Sequence, residues 1–209
     1  MYAPSSFRVK DEAELGAMIA RLRFATLVVN GPDGPVAAHL PMIAEAGRAD
    51  VLLGHVARAN PIVKLLRVGP AALACFVGPD AYVTPAWYAS KREHGKVVPT
   101  WNYVAVQARG TIEPVDDAAG LRAIVAALTE AMEAGRPEPW AVEDAPPDYL
   151  AGMLKAIFGF RLRVTALVGS AKLSQNRPEA DREGVVAGLA ASARETDRVV
   201  AALMQDKRR

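Results

Sequence analysis

Residues Ala25–Ala44 read ATLVVNGPDGPVAAHLPMIA. ATLVVN has the β-branched and apolar make-up of a strand, and GPDGP after it is a strong turn signal. VAAHLPMIA then supplies the partner of a hairpin. A turn this tight can join only antiparallel neighbours, because a parallel pair needs a long crossover. Working outward, the polar turn EAGRAD leads to a further strand, VLLGHV (Val51–Val56), and AALACFVG, VAVQARGTIEPV and FRLRVTALVG have the same character. About six strands joined largely by short turns favour an antiparallel barrel over a sheet of βαβ units. The expected fold class is therefore α+β, mainly antiparallel, with peripheral helices.

The helices announce themselves by periodicity. DEAELGAMIARLRF places Leu15, Met18, Ile19 and Leu22 on one stripe, with acidic residues at its positive end. DAAGLRAIVAALTEAMEAG places Leu121, Ile124, Val125, Leu128 and Met132 on one face, and YLAGMLKAIF reads as a shorter helix. SAKLSQNRPEADREGVVAGLAAS passes from polar loop to helix, with Asn176 a candidate cap ahead of Pro178, and the last segment is helical too. No internal repeat interrupts this pattern, so residues 1–209 are expected to form one domain with a C-terminal helical region. PDAYVTPAWYASKREHGKVVPTWNY, rich in proline, aromatics and cations, is expected to form long ordered loops.

Composition excludes several classes of protein. Hydrophobic residues are 51% and charged residues 23%, so the chain can bury a core and is not disordered. Twenty-five Lys and Arg against twenty-three Asp and Glu leave a net charge of +2, which does not demand nucleic acid as a partner. The closing QDKRR reads as a solvated basic tail. No apolar run is long enough to span a membrane, and the N-terminus has no signal-peptide pattern, so a cytoplasmic location is expected. Cys75 stands alone inside AALACFV and reads as a buried thiol.

Three stretches carry candidate chemistry. In LLGHVARANPIVKLLR (Leu52–Arg67), His55 and Arg58 stand where a strand hands over to a helix start at Asn60 and Pro61. Asn60 can cap free N–H groups and proline is favoured at the first helical position. Arginine plus exposed N–H groups suits an anion, and an ordinary strand-to-helix turn explains the same residues. AWYASKREHGKVVPTWNY combines Trp87, Tyr88, Trp101 and Tyr103 with Lys91, Arg92 and Lys96. That mixture suits a planar heterocycle with a phosphate tail, a single-stranded nucleic acid, or a packed loop with cations at its rim. SAKLSQNR sets Lys172, Ser174, Gln175, Asn176 and Arg177 after a strand. His39, His55 and His94 are too scattered for a metal motif, so no metal is expected, and no nucleophile elbow, P-loop or GxGxxG is present.

Taken in order, MYAPSSF, HLPMI, GHVARANP, AYVTPAWYASK, GKVVPTWNY and KLSQNRPEADREGVVAGL resemble the PaiB-like family of FMN-binding negative transcriptional regulators, within the FMN-binding split-barrel class. The likeness runs through nearly the whole chain, with Ser6 standing where histidine is common. It implies a split β-barrel homodimer with FMN at or near the subunit interface. Arg58 matches the cation that holds the flavin phosphate in such proteins, with His55 and Asn60 adjacent. Lys91, Trp101, Asn102, Lys172 and Gln175 fall in the other characteristic blocks and are the further cofactor-binding candidates. No catalytic residue is implied. The implied function is transcriptional repression with DNA or a regulatory protein as partner, although no helix-turn-helix signature is present. The alternatives are an FMN-dependent oxidoreductase acting on a small molecule and a nonenzymatic flavin-binding module.

Overall fold

The computed structural model describes residues 1–206; the basic tail Lys207–Arg209 lies outside the described residues. Eight strands form one antiparallel sheet in the order β3-β2-β6-β7-β8-β5-β4, with β1 (Arg8–Val9) added on β8 (Ile157–Lys172). That order has two ends, so the sheet is not closed. The chain groups into two compact units. One holds residues 13–76 and 107–167; the other holds Met1–Glu12, Val77–Val106 and the chain from Val168 onward. The long strands β6 (Ala71–Val83), β7 (Thr100–Val115) and β8 each run from one unit into the other.

In the larger unit the expected hairpin is present. β2 (Phe24–Gly31) pairs with β3 (Gly34–Pro41) in continuous register from Phe24↔Pro41 to Gly31↔Gly34. Gly34 takes φ +118°, open to a residue without Cβ. Ala25, Leu27 and Val29 are buried in alternation, while the other edge of β2 pairs with β6 from Ala25↔Phe76 to Val29↔Ala72. β5 (Arg48–Ala57) lies against β8 from Val51↔Arg163 to Ala57↔Ile157. Phe160 packs so closely on Gly54 that a Cβ there would meet the ring at 2.8 Å.

Helix α1 (Glu12–Leu22) buries Leu15, Met18 and Ile19. Helix α4 (Ala118–Glu133) begins where the Asp117 carboxylate accepts from the Gly120 N–H at 2.8 Å, a normal N-cap. It drives Ile124 and Leu128 into a cluster with Ile43, Val51, Leu53 and Val115. Leu121 joins Leu150 and Leu154 of α5 (Pro147–Lys155) and Val142.

The smaller unit carries α3 (Ser90–Glu93), α6 (Glu179–Ala190) and α7 (Glu195–Asp206), together with a 3-10 turn, Pro85–Trp87. No helix among the described residues is long and apolar enough to cross a membrane.

Some local expectations change. There are two strands more than the periodicity suggested. β1 forms from the N-terminal arm, pairing Arg8 with Ser170 and Val9 with Gly169. β4 (Ile43–Glu45) is cut from its predecessor at Met42, whose N–H turns away to the Arg23 carbonyl at 2.7 Å. The long loop expected from Pro79 shrinks to residues 84–99, because β6 and β7 extend into it. Asn176 does not cap α6, whose N-cap position is Pro178 and has no side-chain cap.

Candidate functional site

The structure places His55, Arg58 and Asn60 in the larger unit and Lys91, Trp101, Asn102, Lys172 and Gln175 in the smaller one. Each group is therefore built separately.

At the end of β5, the strand-to-helix turn is real but spends its own donors. The Asn60 side-chain oxygen accepts from the Ile62 N–H at 3.1 Å, and the Val63, Lys64 and Leu65 N–H groups reach the carbonyls of Asn60, Pro61 and Ile62. The helix that follows, α2 (Val63–Leu66), is a single turn. Asn60 acts as a local cap, and what this segment offers an anion is side-chain charge. Arg58 donates from Nε to the Lys155 carbonyl at 2.8 Å and from Nη2 to Asp116 Oδ1 at 2.5 Å. Arg67 donates to the other Asp116 oxygen at 2.8 Å and lies 5.0 Å from the centre of the Phe158 ring. The Arg58 hydrogen bond is the main reason Asp116 sits below its usual pKa, with Arg67 adding to it. Two guanidiniums share one carboxylate, so a positive charge is left over. His55 is largely buried with no partner for Nδ1, and burial lowers its pKa, so the ring is neutral at physiological pH.

In the smaller unit the candidates separate by strand face. Thr100 and Asn102 share one face of β7 and Trp101 occupies the other. Trp101 is half exposed and meets Tyr82 edge-on, ring centres 5.8 Å apart. Asn102 is fully buried and bonds with the Ser174 hydroxyl at 3.0 Å and the Met204 sulfur at 3.4 Å. That contact holds Ser174 in the left-handed region, φ +61°, which a residue with a Cβ seldom adopts. Gln175 folds its amide back on the strand end, accepting from the Leu173 N–H at 2.7 Å and donating to the Ala171 carbonyl. Asn102 and Gln175 thus shape the loop. Lys172, just before it, donates to Thr100 Oγ1 at 2.6 Å and lies 5.9 Å from the Phe7 ring centre. Lys91 is exposed on α3.

Three residues that help to fix the AWYAS segment, Asp181, Gly184 and Gly188, do not stand out in the sequence. Asp181 is buried and accepts from both the N–H and the hydroxyl of Ser90, at 2.9 and 2.7 Å. Trp87 lies on a notch in α6 made by Gly184 and Gly188, where an added Cβ would come within 2.0 Å of the Trp87 carbonyl or 2.2 Å of its ring. Arg177 stacks 4.7 Å above the Tyr88 ring. The spacing of two glycines by four residues was the available signal, since it leaves a smooth stripe on a helix.

Residues 1–166 match the family described as "Putative FMN-binding domain". The chain belongs to this FMN-binding family. FMN is the cofactor that membership assigns. The PaiB-like resemblance is also shown: the chain is 32% identical over 208 residues to protease synthase and sporulation protein PAI 2 of Bacillus subtilis, covering 99% of this chain and 98% of that one. The fold is that of split-barrel flavin-binding proteins. An FAD and heme binding protein from Mycobacterium smegmatis aligns with TM-score 0.60 at 20% identity, over 87% of this chain and 80% of that one. The flavocytochrome Anf3 from Azotobacter vinelandii aligns with TM-score 0.61 at 16% identity, over 79% and 69%.

The residues present fit FMN. Its phosphate calls for uncompensated cationic charge, which the Arg58–Arg67 pair retains. Its ring calls for buried hydrogen-bonding groups; the larger unit, taken by itself, offers the His55 Nδ1 and the smaller unit, taken by itself, the Ser170 hydroxyl, each buried without a partner. When bound, FMN supplies one- or two-electron chemistry, and the protein orients and tunes it.

Proposed function

We propose that the protein is an FMN-binding negative regulator of transcription that acts as a homodimer. The observation that carries this reading is the likeness to PAI 2, sustained over both chains from end to end, because that protein's name ties it to control of protease synthesis and sporulation. The charge on the last helix favours a route through a second protein over reading of DNA by that helix. The exposed charged residues of α7 are Glu195, Arg198 and Asp206, and Arg198 is turned inward to the carbonyls of Ser192 and Ala193 at 2.8 and 3.0 Å. A helix that enters the major groove needs free cations and hydrogen-bonding side chains on that face.

The reading is tested by deleting the gene, comparing transcripts, and asking whether the purified dimer alone or with cell extract occupies the promoters that change. Unaltered transcripts would remove the regulatory role. For the cofactor, protein purified without added flavin should show a flavin spectrum and release FMN. Arg58→Ala should weaken FMN binding about tenfold, as loss of one charge-assisted contact does. Unchanged affinity in a folded variant would move the phosphate elsewhere.

A further inference from the structure

We infer that Lys172 and Ser170 form the subsite that receives the pyrimidine edge of the flavin ring, and that Lys172 favours the reduced cofactor over the oxidised one. The inference rests on FMN being the cofactor, and goes beyond it by assigning one end of the ring to one strand. Residues two apart on β8 share a face, so Ser170 and Lys172 project together. An ammonium has three N–H donors, and Thr100 takes one. Among the described residues, no salt bridge reaches Lys172. Ser170 is 1% exposed and its hydroxyl has no partner. A half-buried cation without a carboxylate, beside a buried hydroxyl without an acceptor, is a costly arrangement for a protein to keep unless a ligand completes it.

The ligand must offer acceptors and tolerate positive charge. Burial, followed by repulsion from Arg177, lowers the pKa of Lys172, so the group gains from a neighbour that carries negative charge. The pyrimidine edge of a flavin presents ring nitrogen and carbonyl acceptors, and reduction concentrates negative charge there. A phosphate also offers acceptors. Among the described residues, Arg177 is the one other charged group that acts on Lys172, and comparing FMN with riboflavin separates a phosphate at this point from the ring edge. The loop after β8 keeps Lys172 in place. Gln175 closes the strand end, and Asn102 pins Ser174.

The test uses the full-length, FMN-loaded protein. Lys172→Gln should weaken binding of reduced flavin at least tenfold more than binding of oxidised flavin. For a two-electron couple that lowers the midpoint potential by about 30 mV. Lys172→Arg should restore most of the loss. A potential unchanged in Lys172→Gln, or FMN binding lost while riboflavin binding is kept, would overturn the assignment; the second result would mark a phosphate site. Ser170→Ala gives an independent reading that does not risk the fold. It removes a buried hydroxyl with no partner, so thermal stability should hold while affinity for both FMN and riboflavin falls. Stability lost with flavin affinity intact would show a structural hydroxyl instead. Wild-type protein that binds no flavin at all would overturn the cofactor reading itself, and is recognised before any variant is made.

Discussion

His55 shows how one side chain can couple the fold to pH. Its neutral form is favoured in the folded protein because burial opposes the charge. As pH falls through the ordinary histidine value of 6.5, the unfolded chain takes up a proton that the folded chain resists, so stability declines below that point and is complete above it. Denaturant midpoints measured at pH 7.5 and pH 5.5 should differ for the wild type, and the difference should shrink in His55→Gln. Equal slopes in the two proteins would show that His55 is not the group responsible. Arg58 raises a different question at this scale, because Asp116 competes for the charge that a phosphate would use. Asp116→Asn should therefore strengthen FMN binding several-fold if Arg58 and Arg67 face the phosphate. Isothermal titration would read that gain, and a loss of affinity would make Asp116 a support of the site.

Among the elements, α6 has the most specific task. Its polar first turn gives Asp181 to Ser90, and its glycine notch receives Trp87, so one helix holds two points of the same loop. Burial alone would raise the Asp181 pKa, but the hydrogen bonds from Ser90 outweigh it and hold the carboxyl below its usual value. Gly184→Ala puts a methyl group within 2.0 Å of the Trp87 carbonyl, a backbone contact that cannot yield by turning a flexible side chain. Overpacking of this kind costs about 1–3 kcal/mol. A chemical melt should register that loss, and Trp fluorescence should report the displaced indole. Unchanged stability would mean that α6 is free to slide. The sequence pointed to this helix from its periodicity, yet gave no hint of its partner, because a contact between residues nearly a hundred positions apart leaves no local trace.

At the scale of the whole molecule, the question is whether one chain is the working unit. The resemblance implies a homodimer, and Tyr82 and Trp101, which touch edge-on and are each about half exposed, are large apolar side chains that a second copy would cover. Light scattering after gel filtration should give twice the 22.2 kDa chain mass at micromolar concentration. A mass of one chain, with FMN still bound, would show that a single chain can hold the cofactor.

The antiparallel class was legible at Ala25–Ala44, because a proline–glycine turn between two apolar runs has few other solutions, and α4 was legible because its apolar residues recur at helical spacing. The blocks that mark the FMN-binding family were equally plain, since they are local strings. What each residue in those blocks does was not. Asn60 caps its turn as its sequence suggests, but that Asn102 and Gln175, candidate cofactor contacts, also brace the strand end and that Arg58 is also tied to Asp116 could not be read there. Periodicity reports which face of an element is apolar, whereas hydrogen-bond partners depend on which distant residues arrive beside it. Sequence by itself determined the main helices and the hairpin, the class and the family. Only the tertiary structure decided that, in the KLSQN block, Lys172 keeps donors to spare, because only folding set Thr100, Ser174 and the strand end around it.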